Sequence, residues 1–160
     1  MWNQFASIAL DSSLNQWISA TYWLWPVLEI LHFIGLSLLF GGLLLVDLRM
    51  LGCFASIAQA RVNRLLPLVM LGFAVNLVTG LLFYFGDPAR YSANIAFKIK
   101  MTLIVVAGCN AALHHMLIVR AGQGPATAEQ PFQKLSASVS LLAWLGVLLF
   151  GRLIPYIGTG

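Results

Sequence analysis

Four predominantly apolar runs dominate this chain, at about residues Trp25–Val46, Leu65–Phe85, Ile99–Val119 and Leu135–Ile154. Each is close to the roughly 20 residues that a helix needs to cross the hydrocarbon core of a bilayer. In lipid every backbone N–H and C=O must be paired within the segment or around a closed barrel. The runs are continuous rather than alternating with a period of two, so they read as helices and not as barrel strands. The connections Asp47–Arg64, Gly86–Lys98 and Arg120–Lys134 are short, which favours an up-down-up-down path with both termini on one side. The expected fold is therefore all-α: one integral membrane four-helix bundle occupying residues 1–160, with no room for a second domain.

Composition agrees. Of 160 residues, 60% are hydrophobic and only 9% charged, against about a quarter charged in a soluble domain, which excludes a soluble enzyme. The net charge of +4 comes from basic residues between the apolar runs, where anionic headgroups and topology account for it. No nucleic-acid partner is implied. Cys53 and Cys109 lack CxxC or CxxCH spacing, so a disulfide framework, a zinc ribbon and covalent haem attachment have no support.

The segment Met1–Ala20 has no basic start and is interrupted by Asp11-Ser12-Ser13, unlike a cleavable signal peptide. It reads as a short interfacial helix, with Ser13 and Gln16 as a capping box. Trp2, Phe5, Trp17, Tyr22, Trp23 and Trp25 supply rings suited to the membrane interface. Pro26 falls in the first turn of the first span, where a missing N–H costs nothing. The Gly/Ala/Thr-rich stretch Ala121–Gln130, with Pro125, reads as a flexible connection.

Ionisable residues inside membrane helices are expensive and are functional-site hypotheses by default. Here they are Glu29 and His32 in the first span and His114 and His115 in the third, with Asp47, Lys98, Lys100 and Arg152 near helix ends. Asp47, two residues before Arg49, reads as half of an interfacial charge pair, and the cations near helix ends can snorkel. Glu29 and His32 share one helix face. A di-iron carboxylate site needs two ExxH units and further glutamates, whereas the only other glutamate is Glu129.

Small residues accompany the imidazoles. Gly35 and Gly42 follow His32 on nearly one stripe, and Gly72, Asn76 and Gly80 form a row on the second span. Ala107 and Ala111 precede His114, and Gly108 and Ala112 precede His115, at the same spacings. Such grooves suit a haem plane beside an axial imidazole, or close helix packing without a cofactor. The leading expectation is a b-type cytochrome for electron transfer or redox sensing, with one or two haem b groups per chain. His32 and His114 or His115 would be the iron ligands. Arg49, Lys98, Lys100 and Arg152 would meet the propionates, with Glu29 and Asn76 beside the cofactor. No residue is assigned a catalytic role. The alternatives are a copper-handling protein using His114-His115-Met116, Cys109, Glu29 and His32, and an accessory subunit without cofactor.

At about 1.5 Å per residue the run boundaries put His32 and His114 about 12 Å apart in depth, too far for one haem to bridge them without a large helix offset. An outer level would hold His32, with Met101 somewhat shallower, and an inner level His114 or His115, with Met70 at similar depth. A neighbouring protomer could also complete the ligand set. His114 and His115 point about 100° apart, which favours a small homo-oligomer in the membrane lipid, served by an unknown redox partner or quinone.

Glu29-Ile30-Leu31-His32-Phe33-Ile34-Gly35, Gly41-Gly42 and Asp47-Leu48-Arg49-Met50-Leu51-Gly52 resemble the first helix of a group of uncharacterised four-helix bacterial inner-membrane proteins. Phe97-Lys98-Ile99-Lys100, the segment Asn110 to His114 and the stretch Trp144 to Gly151-Arg152 fit the same group. More distantly the chain is similar to copper-resistance D-type proteins and small inner-membrane b-type cytochromes. That resemblance implies intramembrane histidine ligands for haem or metal, although the three histidines here are fewer than two bis-histidine haems need. It also implies the bacterial inner membrane. There the basic first loop, after an N-terminal segment without Lys or Arg, places the termini on the periplasmic side.

Overall fold

The computed structural model describes residues 7–120 and 126–157, with side chains described at 7–117 and 131–157. All of its regular structure is helical: α1 (Ser13–Ala20), α2 (Leu24–Met50), α3 (Gln59–Asn63), α4 (Leu66–Gly86), α5 (Pro88–Ala93), α6 (Ile95–Arg120) and α7 (Ala126–Leu153). Four segments are long and apolar enough to span a membrane, provided by α2, by α3 running into α4, by α6 and by α7. They form the expected all-α bundle, and the contacts within the α2–α4 pair and within the α6–α7 pair run antiparallel. Gly35 and Gly42 of α2 meet Gly72 and Val69 of α4, and Asn110 of α6 meets Ser136 of α7. Helix α2 packs on α4 and α7, and α7 on α6. Leu39, Val69, Ala107, Ala143, Trp144 and Val147, drawn from all four spans, form the central core.

Local chemistry fixes the ends. Helix α1 is capped by Ser12, whose Oγ accepts from the Asn15 N–H at 3.1 Å, so the expected Ser13/Gln16 box is displaced by one residue. The Asn15 side chain then donates to the Phe85 carbonyl at 2.7 Å, holding α1 against the end of α4. Asp87 caps α5 by accepting from the Arg90 N–H at 3.2 Å, and Pro88 follows at the first helical position. Asn94, 1% exposed, donates to the carbonyls of Ile154 and Ile157. Its Oδ1 accepts from the Phe97 N–H at 3.1 Å, tying the start of α6 to the end of α7.

Three expectations are corrected. The stretch 121–130 is not all connection, because α7 already begins at Ala126 and carries Pro131 inside it; Glu129 is therefore helical, and residues 121–125 lie outside the described ones, as do Trp2 and Phe5. Of the glycine stripes of α2 and α4, Gly35, Gly42 and Gly72 are consumed in helix packing rather than left open as a groove. A Cβ on Gly72 would stand 2.6 Å from the Gly35 carbonyl oxygen and from the Leu39 amide nitrogen, and one on Gly42 would stand 2.4 Å from Val69. Asp47 forms no ion pair with Arg49. It is 4% exposed, Ser140 hydrogen-bonds to its carboxyl, and its Oδ2 has no partner, whereas the Arg49 Nε donates to the Ile57 carbonyl at 2.6 Å.

Candidate functional site

At the end of the bundle where α2 begins and α7 ends, the four long helices splay around a cavity of about 490 Å³. Helix α2 contributes Trp25, Glu29 and His32, α4 contributes Gly80 and Phe83, and α5 contributes Arg90 and Tyr91. Phe97 and Lys100 come from α6, and Gly151 and Arg152 from α7. Four of the residues singled out from the sequence, Glu29, His32, Lys100 and Arg152, are thus brought together.

His32 is the centre of this arrangement. Its Nδ1 lies 2.7 Å from the Thr79 Oγ1. The single hydroxyl proton of Thr79 is directed to the Val75 carbonyl, also at 2.7 Å, so Thr79 accepts and the imidazole Nδ1–H donates. That fixes the neutral tautomer with its lone pair on Nε2, which no hydrogen bond from a described residue reaches. Phe83 packs edge-on against the ring, with centroids 5.5 Å apart. Across the helix pair Gly80 leaves room, since a Cβ there would find its nearest neighbour in the His32 Cε1 at 3.9 Å. An imidazole oriented through one nitrogen and open at the other is the usual form of a histidine metal ligand.

Charge is uneven around the cavity. Arg90, Lys100 and Arg152 line it against one carboxylate, Glu29, which accepts from the Trp25 indole N–H at 3.1 Å. The Arg90 Nε is buried without a hydrogen-bond partner among the described residues. The Arg152 guanidinium carbon sits 5.7 Å from the Tyr156 ring centroid, and Lys100 lies over Gly151, where a Cβ would stand 3.3 Å from its Nζ. On the short helix outside the spans, burial pushes the Tyr91 phenol above its ordinary pKa, with Arg90 pulling the other way. Arg90, Tyr91 and Trp25 are cavity residues that sequence reasoning missed. The Asp87-Pro88 helix start was the available signal for Arg90, since it fixes a cation two residues further on.

The other candidates lie elsewhere. Lys98 does not line the cavity, and Arg49 lies at the opposite end of the bundle beside the loop that follows α2. Asn76 turns its amide onto the Gly72 carbonyl at 2.9 Å, within the helix crossing. His114 stacks on Phe132 with centroids 6.1 Å apart, its Nδ1 buried and unpartnered, while His115 and Cys109 are exposed. Met70, at 62% exposure, faces outward. Because Lys100 shares the cavity with His32, the 14 residues from Lys100 to His114 put the two imidazoles about 21 Å apart in depth. The excess over the expected 12 Å comes only in part from α6 starting at Ile95, four residues before the apolar run, which adds about 6 Å.

Among the described residues no three His, Cys, Asp or Glu side chains are grouped to hold a metal ion. No family model matches the chain, and no match is found among curated proteins or solved structures.

Proposed function

We propose that the cavity binds haem b through His32 and that the protein is a b-type cytochrome for electron transfer or redox sensing. The observation that carries this reading is the His32–Thr79 hydrogen bond, which leaves the Nε2 lone pair free at a cavity whose charged rim is mainly cationic. The fit is supported by the unpartnered Arg90 Nε and by the absence of a side chain at Gly80. Haem b, when bound, supplies reversible one-electron chemistry at its iron. Thr79 holds the imidazole in its ligating tautomer and orientation. Arg90, Lys100 and Arg152 would balance the two propionate charges, and Trp25, Phe83 and Phe97 would cover the apolar part of the macrocycle. Among the described residues no methionine or second histidine lines the cavity, so a further iron ligand would have to come from a neighbouring copy, in keeping with a small cyclic homo-oligomer. A copper path is less well supported, because His114, His115, Met116 and Cys109 do not converge with Glu29 and His32.

The bacterial inner membrane with periplasmic termini is the location this reading favours, and a C-terminal reporter fusion active only in the cytoplasm would reverse it. Replacing His32 by Ala tests the function. Haem content per folded protein, measured on membranes from haem-replete cells, should fall at least tenfold. Unchanged haem content would remove His32 as the ligand.

A further inference from the structure

At the end of the bundle opposite the haem cavity lies a second concavity, a groove of about 280 Å³ between the end of α2 and the start of α4. Its lining is apolar at Leu45, Phe54, Val62 and Leu65, with Arg49 and Arg61 beside them. These residues bracket the two ends of spanning helices, so the groove stands where hydrocarbon gives way to headgroups. Gly52 (φ 101°) and Phe54 (φ 53°) both take left-handed backbone, a conformation that costs a non-glycine residue free energy. The Phe54 side chain remains 54% exposed at the groove. The Arg49 Nε donates to the Ile57 carbonyl, which fixes that guanidinium against the loop and leaves its terminal nitrogens to a ligand.

Charge complementarity decides the occupant. From Leu48 to Gly86 the chain contains three arginines, Arg49, Arg61 and Arg64, and no acidic residue. The nearest carboxyl, Asp47, is buried and forms no ion pair among the described residues. Two guanidinium groups beside an apolar groove at headgroup depth match a phosphodiester with an attached acyl chain.

We propose that this groove is a binding site for an anionic phospholipid, with the phosphate at Arg49 and Arg61 and one acyl chain along Leu45, Val62 and Leu65. The test is native mass spectrometry of the full chain in mild detergent, titrated with dioleoyl phosphatidylglycerol or dioleoyl phosphatidylcholine. Wild type retains the anionic lipid in preference to the zwitterionic one. Arg61→Gln, at an exposed position whose side chain has no hydrogen bond among the described residues, lowers retention of phosphatidylglycerol about fivefold, the effect of one juxtamembrane cation. It leaves phosphatidylcholine unchanged. Arg64→Gln removes the same charge outside the groove and changes retention less than about twofold by the same measure. Equal retention of the two lipids overturns the site, as does a loss with Arg64→Gln matching that with Arg61→Gln. Displacement of the lipid by millimolar inorganic phosphate also overturns it, because the acyl chain would then contribute nothing.

Discussion

Gly72→Ala is the substitution whose consequence can be worked most directly from the helix crossing to the site. The added Cβ would stand 2.6 Å from the Gly35 carbonyl oxygen and 2.6 Å from the Leu39 nitrogen. Both are backbone atoms of α2, so no side chain can swing away. An ordinary contact begins near 3.4 Å, and the two helices must part by about 0.8 Å to restore it. His32 and Thr79 ride on the same two helices, within two turns of the crossing. Their 2.7 Å bond would stretch to about 3.5 Å under a parallel displacement, the limit at which a hydrogen bond is lost. Overpacking of this kind costs about 1–3 kcal/mol, and a lost hydrogen bond adds about 1 kcal/mol. The expected destabilisation is about 2–4 kcal/mol. Gly41→Ala is the control, since a Cβ there meets nothing within 4 Å and alanine is the better helix former by about 0.5–1 kcal/mol. Reversible unfolding in mixed detergent micelles, followed by far-ultraviolet circular dichroism, compares the two. If Gly72→Ala unfolds at the same denaturant concentration as wild type or Gly41→Ala, the close crossing is wrong, and with it the positioning of His32.

Three further outcomes follow from the same structure. Asn94→Ala removes the donor to the carbonyls of Ile154 and Ile157 and the acceptor Oδ1 that faces the Phe97 N–H; it should cost about 2–4 kcal/mol in the same assay, and a loss under about 1 kcal/mol would contradict the tie. Asp47→Asn should leave stability unchanged or raise it, because an unpaired buried carboxyl is relieved while Ser140 keeps an acceptor; a large loss would reveal an ionic partner. Burial raises the Tyr91 phenol above its ordinary pKa of 10.0, so the folded state holds that proton more tightly than the unfolded chain. Its contribution is full below pH 10 and is lost as pH rises through the folded-state pKa. Tyr91→Phe should therefore flatten the alkaline fall in stability, and identical pH profiles would refute that account.

The spans could be read from sequence because a continuous apolar run of membrane length has few other solutions in lipid. The interior of the bundle was less legible. Gly35, Gly42 and Gly72 have the same small-residue signature whether they receive a porphyrin or another helix, and only the contacts with Val69 and Leu39 decide for packing. His32 announced itself as an imidazole in an apolar run, but Thr79, which sets its tautomer, looked like any threonine in a helix. Arg90 was hidden for another reason. Helix offsets are not written in single-helix patterns, so nothing in the run boundaries placed Lys100, Arg90 and Tyr91 around one cavity with His32. His114 stacks on Phe132 instead, outside that lining.

The central claim, haem held by His32 in the cationic cavity, is tested most directly by the visible absorption spectrum of the protein purified from haem-replete cells. A Soret band that shifts on dithionite reduction, with resolved α and β bands that His32→Ala abolishes, is the expected result. A colourless, folded wild-type protein would contradict it.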